Sequence, residues 1–200
     1  MRKWWWVGAV VLSAGLLAGC GMEVKRISPD EVVDLSGRWN DTDSKLVAEE
    51  MVKEALARPW LSKYMKAHGG NEPKVIVGTI ANKSDEHIAI DTFVKDIERE
   101  LTNSGMVQFV ATKSEREEIR EEREDQQTWS SQDTRKEMYD ETGADYMMKG
   151  VISKITDSRD SKATFYYQVD MELVDLQKNL KVWFGNKQIK KYIKRPGARF

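Results

Sequence analysis

Three stretches of this chain repeat their apolar residues every three or four positions, which predicts helices that bury one face. The first follows a cluster of N-cap candidates, Asp41 to Ser44, and Pro59 ends it. The second is short and closes at Gly69-Gly70, and the third closes at Gly105. The apolar positions are, in order, Val47, Met51 and Ala55; Trp60, Leu61 and Tyr64; and Ile90, Phe93, Val94, Ile97 and Leu101. Trp60 is interpreted as a core residue.

A fourth helix is predicted from charge. Residues 114–127 are nearly all charged, and Glu and Arg residues three or four positions apart support a solvated helix. Arg116, Arg120 and Arg123 share one ridge, which either meets an acidic partner or is simply a solvated face; we favour the solvated face. After Ser130-Ser131, a further helix is expected to run to Gly143.

The strands are predicted by runs of β-branched residues and by strict alternation. KVIVGTI (74–80) and MVQFVA (106–111) are short apolar runs typical of buried strands. A long β pattern begins at Ala144. From Phe165 to Leu173 every second residue is apolar, which predicts a half-buried antiparallel strand. Residues 177–179 form a turn, and 182–193 return as the last strand. The expected fold is one α/β domain with a mixed sheet of about five strands, and helices mainly on one face.

The N-terminus has the pattern of an export signal. Arg2 and Lys3 precede an apolar stretch of fourteen residues, too short for a membrane span, which needs about 20 residues. The stretch ends in Leu17-Ala18-Gly19-Cys20, which resembles the lipobox of bacterial lipoproteins. This resemblance implies removal of residues 1–19 and acylation of Cys20, and Gly21 favours the outer membrane as the destination. Three acyl chains would make membrane attachment effectively permanent.

Residues 20–42 are predicted to form the lipidated N-terminus and a flexible tether, and residues 43–200 the globular domain. Twenty-two residues reach at most about 75 Å when fully extended, and a flexible coil averages about 26 Å. Without Arg2 and Lys3, the 32 basic residues fall to 30 against 33 acidic ones, a formal charge of −3. This balance, in an exported protein, argues against nucleic acid as a partner.

The sequence offers no catalytic or metal-binding constellation, so no enzymatic activity and no cofactor are expected. Cys20 is the single cysteine, and His68 and His87 are the two histidines. Phosphate-binding and nucleophile motifs are absent. Asp170 and Glu172 lie side by side on one strand face, but alternation already explains them as solvent-facing. A cluster of basic residues at the C-terminus either attracts an anionic partner or protects an edge strand: Lys187, Lys190, Lys191, Lys194, Arg195 and Arg199.

Several segments together resemble the LpoB family of outer-membrane lipoproteins, which activate penicillin-binding proteins. The resemblance covers roughly residues 43–194 and rests on the order and spacing of its motifs, together with Cys20. These motifs are KVIVGTIANKS, the LTNSG helix end, MVQFVA, EREEIREERE, GADYMMKGVISKI, YYQVDMELVDLQKN and LKVWFGNKQIKKY.

The resemblance implies a fold similar to the N-terminal domain of TolB and a role without catalysis. The anchored domain, facing the periplasm, is expected to dock on the regulatory domain of a penicillin-binding protein and shift that peptidoglycan synthase toward an active state. The best-known enteric members have a long, Pro-rich tether, whereas this chain has about twenty residues. The alternative is a lipoprotein of an outer-membrane secretion or assembly complex with a related fold.

Overall fold

The computed structural model describes residues 23–137 and 141–194. The predicted signal segment 1–19 and Cys20 lie outside the described residues, so the lipidation site stays a prediction. The chain divides into two compact units, 1–31 and 32–200. The described part of the first unit, 23–31, has no helix or strand and contains a turn in which the Glu31 N–H donates to the Ser28 carbonyl (3.0 Å).

The second unit contains four helices and five strands in its described residues. The helices are α1 (Asp41–Leu56), α2 (Pro59–Ala67), α3 (Ile90–Asn103) and α4 (Lys113–Trp129). The strands are β1 (Lys74–Asn82), β2 (Gln108–Phe109), β3 (Tyr146–Arg159), β4 (Lys162–Asp175) and β5 (Leu180–Lys194).

The strands form one mixed sheet in the order β2-β1-β3-β4-β5. β1 pairs in parallel with both β2 and β3, because helices lie between these strands along the chain and carry it back to the same end of the sheet. β3, β4 and β5 follow one another through tight turns and pair antiparallel. The predicted mixed sheet of five strands is confirmed.

One face of the sheet carries the hydrophobic core. The alternating residues of β4 that face inward, from Tyr167 to Leu173, are at most 1% exposed. α1 and α3 pack against this face through their predicted apolar residues, and Phe93 and Ile97 are fully buried. Trp60 on α2 is buried as expected; its indole Nε1 donates to the Ala55 carbonyl (2.7 Å).

The N-cap of α1 is Asn40, one residue before the predicted cap cluster. The Asn40 side chain accepts a hydrogen bond from the Asp43 backbone N–H, and the Asp43 carboxylate accepts one from the Asn40 N–H, both at 3.0 Å. This reciprocal arrangement satisfies two backbone donors at the helix start. It also fixes where the chain enters the domain.

Two sequence predictions differ from the structure. β2 pairs with β1 only through Gln108 and Phe109, so the strand is shorter than the predicted 106–111. The predicted helix between Ser131 and Gly143 is wrong, because the described residues on both sides of 138–140 are not helical. Instead the chain folds back on α4: Gln127 Nε2 donates to the Lys136 carbonyl (2.8 Å), and the Lys136 N–H donates to the side chain of Gln126 (3.3 Å).

Candidate functional site

The side of the sheet opposite the core is the candidate binding surface. We use the name open face for the residues of β3, β4 and β5 that point away from the core and alternate with the buried residues of the same strands. They are Lys149, Val151, Ser153 and Ile155; Tyr166, Gln168, Asp170 and Glu172; and Phe184, Asn186, Gln188, Lys190 and Tyr192. In the described parts of the chain, α1 and α3 pack on the sheet from the core side, and so does Trp60 of α2, whose ring lies 5.0 Å from the ring of the buried Tyr146.

A row of hydrogen-bonded side chains runs along β4 in the middle of the open face. The Tyr166 hydroxyl donates to Gln168 Oε1 (3.1 Å), and Gln168 Nε2 donates to both carboxylate oxygens of Asp170 (2.9 Å each). These contacts join residues i and i+2 on the same side of one strand. They hold three polar side chains in fixed positions before any partner arrives.

Exposed apolar side chains border this row. Phe184 and Tyr192 on β5 are 58% and 62% exposed, and Ile155 on β3 is 65% exposed. Ile155 is the register partner of Tyr166, and Phe184 is the register partner of Glu172. Exposed aromatic residues around ordered polar groups are the composition typical of a protein-binding surface.

Asp170 and Glu172 both lie on the open face and already have partners. Asp170 accepts from Gln168, and Glu172 forms an ion pair with Lys181 on the neighbouring strand. Both residues therefore belong to the surface chemistry of the sheet, as alternation predicts.

A second charged cluster attaches the residues before α1 to the sheet. Lys191 Nζ on β5 lies 2.7 Å from carboxylate oxygens of both Asp34 and Asp43, and it also donates to the Arg38 carbonyl (3.3 Å). The Lys191 side chain is only 11% exposed. Burial raises the pKa of Asp43 although the bonds from Lys191 and Asn40 oppose it, whereas the hydrogen bond from Lys191 lowers the pKa of Asp34.

The residues just before α1 also pack beside a buried ion pair, through Trp39. Lys154 Nζ lies 2.8 Å from Glu86, 2.9 Å from Asp85 and 4.6 Å from the centre of the Phe165 ring. The Glu86 carboxylate also accepts from the Trp39 N–H (3.2 Å) and the Tyr167 hydroxyl (2.8 Å). Burial opposes ionisation of Glu86, but these donors outweigh it and lower the pKa of Glu86.

A cavity of about 810 Å³ opens above this ion pair. Its lining includes Arg38, His87, Lys194 and the apolar side chains of Leu35 and Ile193. Asp85 and Glu86 also line the cavity, and both carboxylates already bind Lys154, whose side chain is 4% exposed. The cluster therefore acts as a structural brace between the 82–88 turn, β3 and the segment before α1.

The predicted arginine ridge is present on α4. Arg116 and Arg123 line a cavity of about 330 Å³ at the edge of β2, together with residues 108–111 and Glu141. Arg120 binds Glu141 through Nε (2.6 Å) and Nη2 (2.8 Å), and Arg116 Nη1 donates to the Ala111 carbonyl (2.6 Å). The arginine ridge therefore makes specific contacts within the protein and is not only a solvated face.

The predicted basic cluster at the C-terminus is not one patch. Lys187 forms an ion pair with Glu50 on α1, Lys191 is buried between two aspartates, and Lys190 lies on the open face. Lys194 lines the cavity above Lys154. Arg195 and Arg199 lie outside the described residues. These roles depend on the alternation of β5, which sends successive lysines to opposite sides of the sheet.

The histidines do not form a constellation. The His68 ring stacks on Tyr64 with 3.9 Å between centroids, and His87 lies in the cavity lining. Within residues 23–137 and 141–194, no group of three or more His, Cys, Asp or Glu residues is arranged to hold a metal ion. No described helix has the length and apolarity that a membrane span requires.

Comparison with known proteins identifies one matching family. The model of the family described as peptidoglycan-synthase activator LpoB matches residues 43–189. No curated protein sequence matches the chain.

Several solved structures are similar to this one. The LpoB C-terminal domain from Escherichia coli is 16% identical over 74% of this chain and 99% of that chain, with a TM-score of 0.45. The NMR structure of E. coli LpoB is 14% identical over 96% of this chain and 91% of that chain (TM-score 0.39). The PelC dodecamer from Paraburkholderia phytofirmans is 16% identical over 63% of this chain and 76% of that chain (TM-score 0.36).

Proposed function

The chain belongs to the family of the peptidoglycan-synthase activator LpoB, and on this premise we propose that it is an outer-membrane lipoprotein that binds and activates a penicillin-binding protein. It takes no part in the chemistry. It acts by docking on the regulatory domain of the synthase. Its globular domain faces the periplasm and is held at the membrane by acyl chains on Cys20.

One observation carries this proposal: the family model spans residues 43–189. That range begins in the first turn of α1 and ends within β5, so it includes nearly the whole sheet and most of the open face. The family's role as activator is therefore carried over to the folded domain and not to a short motif.

The open face is the docking surface in this proposal. Its ordered Tyr166–Gln168–Asp170 row presents hydrogen-bonding groups at fixed positions, which lowers the entropy lost on binding. Phe184 and Tyr192 supply apolar contact area that is exposed in the free protein. Removing such aromatic side chains from water provides much of the free energy of protein association.

Activation requires a difference in affinity between two states of the synthase. If the domain binds the active conformation about tenfold more tightly than the resting one, it shifts the equilibrium between them about tenfold at saturation. Equal affinity for both states leaves the activity unchanged however tight the binding. The proposed mechanism therefore needs a surface that fits only the active conformation, and a preorganised surface meets that need better than a flexible one.

The anchor limits where docking takes place. Residues 34–43 are bonded to the sheet through Lys191, and the compact unit begins at Val32. The twelve residues from Cys20 to Val32 span at most about 40 Å. The N-terminal end of the globular unit is therefore held within this distance of the membrane, and the regulatory domain of the synthase must come within reach of a domain held there.

Co-purification from the cognate membranes tests the proposal. The full-length lipoprotein with an affinity tag is extracted in mild detergent, and bound proteins are identified by mass spectrometry. We expect a penicillin-binding protein in the wild-type sample and at least a fivefold loss of it with Phe184→Ala, since that change removes a side chain that is 58% exposed on the open face.

Met106→Ala is the matched control. Met106 is also exposed (43%) but lies between α3 and β2, away from the open face. This variant is expected to recover as much synthase as wild type. Recovery of secretion or assembly components without any penicillin-binding protein would contradict the proposal and favour a role in such a complex.

A further inference from the structure

The arginine ridge of α4 has more positive charge than its local partner neutralises. Arg116, Arg120 and Arg123 lie on successive turns of the helix. Arg116 and Arg123 line the cavity beside β2 together with Glu141, and Arg120 binds that carboxylate. Among the described residues, three cations thus lie around one anion.

The three arginines differ in how many hydrogen bonds they form. Arg120 grips Glu141 with two parallel hydrogen bonds of 2.6 and 2.8 Å, a geometry that is specific for planar anions. Arg116 lies 3.9 Å from the same carboxylate but gives its Nη1 hydrogen bond to the Ala111 carbonyl. Arg123 Nη1 is buried and has no hydrogen-bond partner in the described part of the chain.

A buried donor without a partner is rare, because it has lost its water and gained nothing in exchange. At Arg123 this donor lies beside a cavity of about 330 Å³, which has room for a further group. A second anionic oxygen placed there would bind Arg123 and offset the remaining positive charge.

We propose that Arg116, Arg120 and Arg123 form a binding site for a carboxylate on a short, flexible ligand, such as a peptide, and that Glu141 is a built-in competitor for it. The group that Arg120 holds in the free protein is itself a carboxylate, which identifies the chemistry that the site accepts. Glu141 belongs to an irregular stretch, residues 141–145, between α4 and β3, so it can leave the site without disturbing the sheet.

The surroundings favour a small ligand over an acidic protein surface. The rest of α4 is strongly acidic: Glu117, Glu118, Glu121, Glu122, Glu124 and Asp125. These carboxylates repel an extended acidic face, whereas a ligand with one or two carboxylates enters the cavity between them. The site lies at the β2 edge, so it is separate from the open face and does not depend on the function proposed for that face.

A titration with glutarate tests this site on the full-length protein in detergent. The side-chain Nε–H signals of the arginines are followed by nitrogen-15 NMR. We expect glutarate to move the signals of Arg120 and Arg123, and glutaramide, which has the same shape without charge, to leave them in place. Glu141→Gln is expected to bind glutarate about fivefold more tightly than wild type, because the competing carboxylate is gone.

Two variants keep the interpretation specific. Glu118→Gln removes the same charge from the exposed side of α4 away from the arginines and is expected to change glutarate affinity less than twofold. Arg123→Gln is expected to weaken glutarate binding at least fivefold while the Arg120–Glu141 pair remains. Equal affinities of Glu141→Gln and Glu118→Gln would overturn the proposal, since the effect would then be one of net charge. Equal binding of inorganic phosphate would overturn the assignment to carboxylates.

Discussion

Lys191 near the end of β5 and Asp43 in the first turn of α1 lie 2.7 Å apart, although 148 residues separate them along the chain. Their side chains are 11% and 6% exposed, so the ion pair is largely removed from water. Since the same ammonium group binds Asp34, one lysine joins the edge strand, the first helix and the segment that leads to the predicted anchor.

Replacing Lys191 with Met is expected to destabilise the domain by about 2–3 kcal/mol, because a buried carboxylate at Asp43 loses its cation. Urea unfolding at neutral pH measures this change. Lys187→Met is the control, since its partner Glu50 is 49% exposed, and a cost under about 1 kcal/mol is expected there. Similar costs for both variants would show that the Lys191 cluster is not a special attachment point.

Substitution of Gly37 gives a second test of whether the residues before α1 are packed against β5. Its φ is +64°, and a Cβ there would lie 2.5 Å from Ile193 Cδ1 on β5. Gly105 has almost the same φ, +62°, but a Cβ there meets nothing within 4 Å. Thermal unfolding is expected to show a loss of about 1–2 kcal/mol for Gly105→Ala and at least about 1 kcal/mol more for Gly37→Ala. Equal losses would mean that residues near Gly37 are not packed against β5.

Most elements of the fold were predictable because their signals are local. The repeat of Val47, Met51 and Ala55 marks the buried side of α1, and the alternation from Phe165 to Leu173 marks both the buried and the outward residues of β4. The outward residues of β4 that the sequence identified as solvent-facing, Asp170 and Glu172, are part of the candidate binding surface.

The features that the sequence does not predict depend on contacts between residues that are not neighbours along the chain. The ends of β2 are set by its pairing with β1, which involves two residues, and no local pattern reports this. The helix expected after Ser131 is wrong, because hydrogen bonds from Gln127 and Lys136 turn this part of the chain back on α4. The partners of Lys191 and Lys154 are 68 to 157 residues away, beyond the range of any periodicity.

Glu115 is expected to make stability depend on pH in acid. Hydrogen bonds from Lys95 and from the backbone and hydroxyl of Thr112 lower the pKa of Glu115 to about 2, from 4.5. Its contribution to stability is therefore complete above pH 4.5 and is lost as the pH falls through about 2. Because the Glu115 side chain is 39% exposed, we expect about 1 kcal/mol.

Urea unfolding of wild type and Glu115→Gln at pH 6 and at pH 2 measures this contribution. The difference in the free energy of unfolding between the two proteins is expected at pH 6 and should be much smaller at pH 2. Glu117→Gln, on the same helix with a partner 3.9 Å away, is expected to show almost no gap at either pH. A Glu115 gap of the same size at both values would refute the assigned linkage.

The predicted anchor is tested by Cys20→Ser in the native host. The thiol is the group that accepts the lipid, so the variant is expected to remain an uncleaved precursor without acyl chains. Mass spectrometry of the intact protein and membrane fractionation give both readouts. Normal cleavage and acyl-chain masses in this variant would remove the lipoprotein assignment.

The central claim is that this domain activates a synthase, and the rate of glycan polymerisation measures it most directly. The purified cognate penicillin-binding protein is placed in vesicles with the full-length lipoprotein. The proposal predicts a saturable rise in rate with wild type and Met106→Ala, and a rise that needs a higher concentration with Phe184→Ala. An unchanged rate at saturating wild-type protein, for every synthase of the same cell, would contradict it.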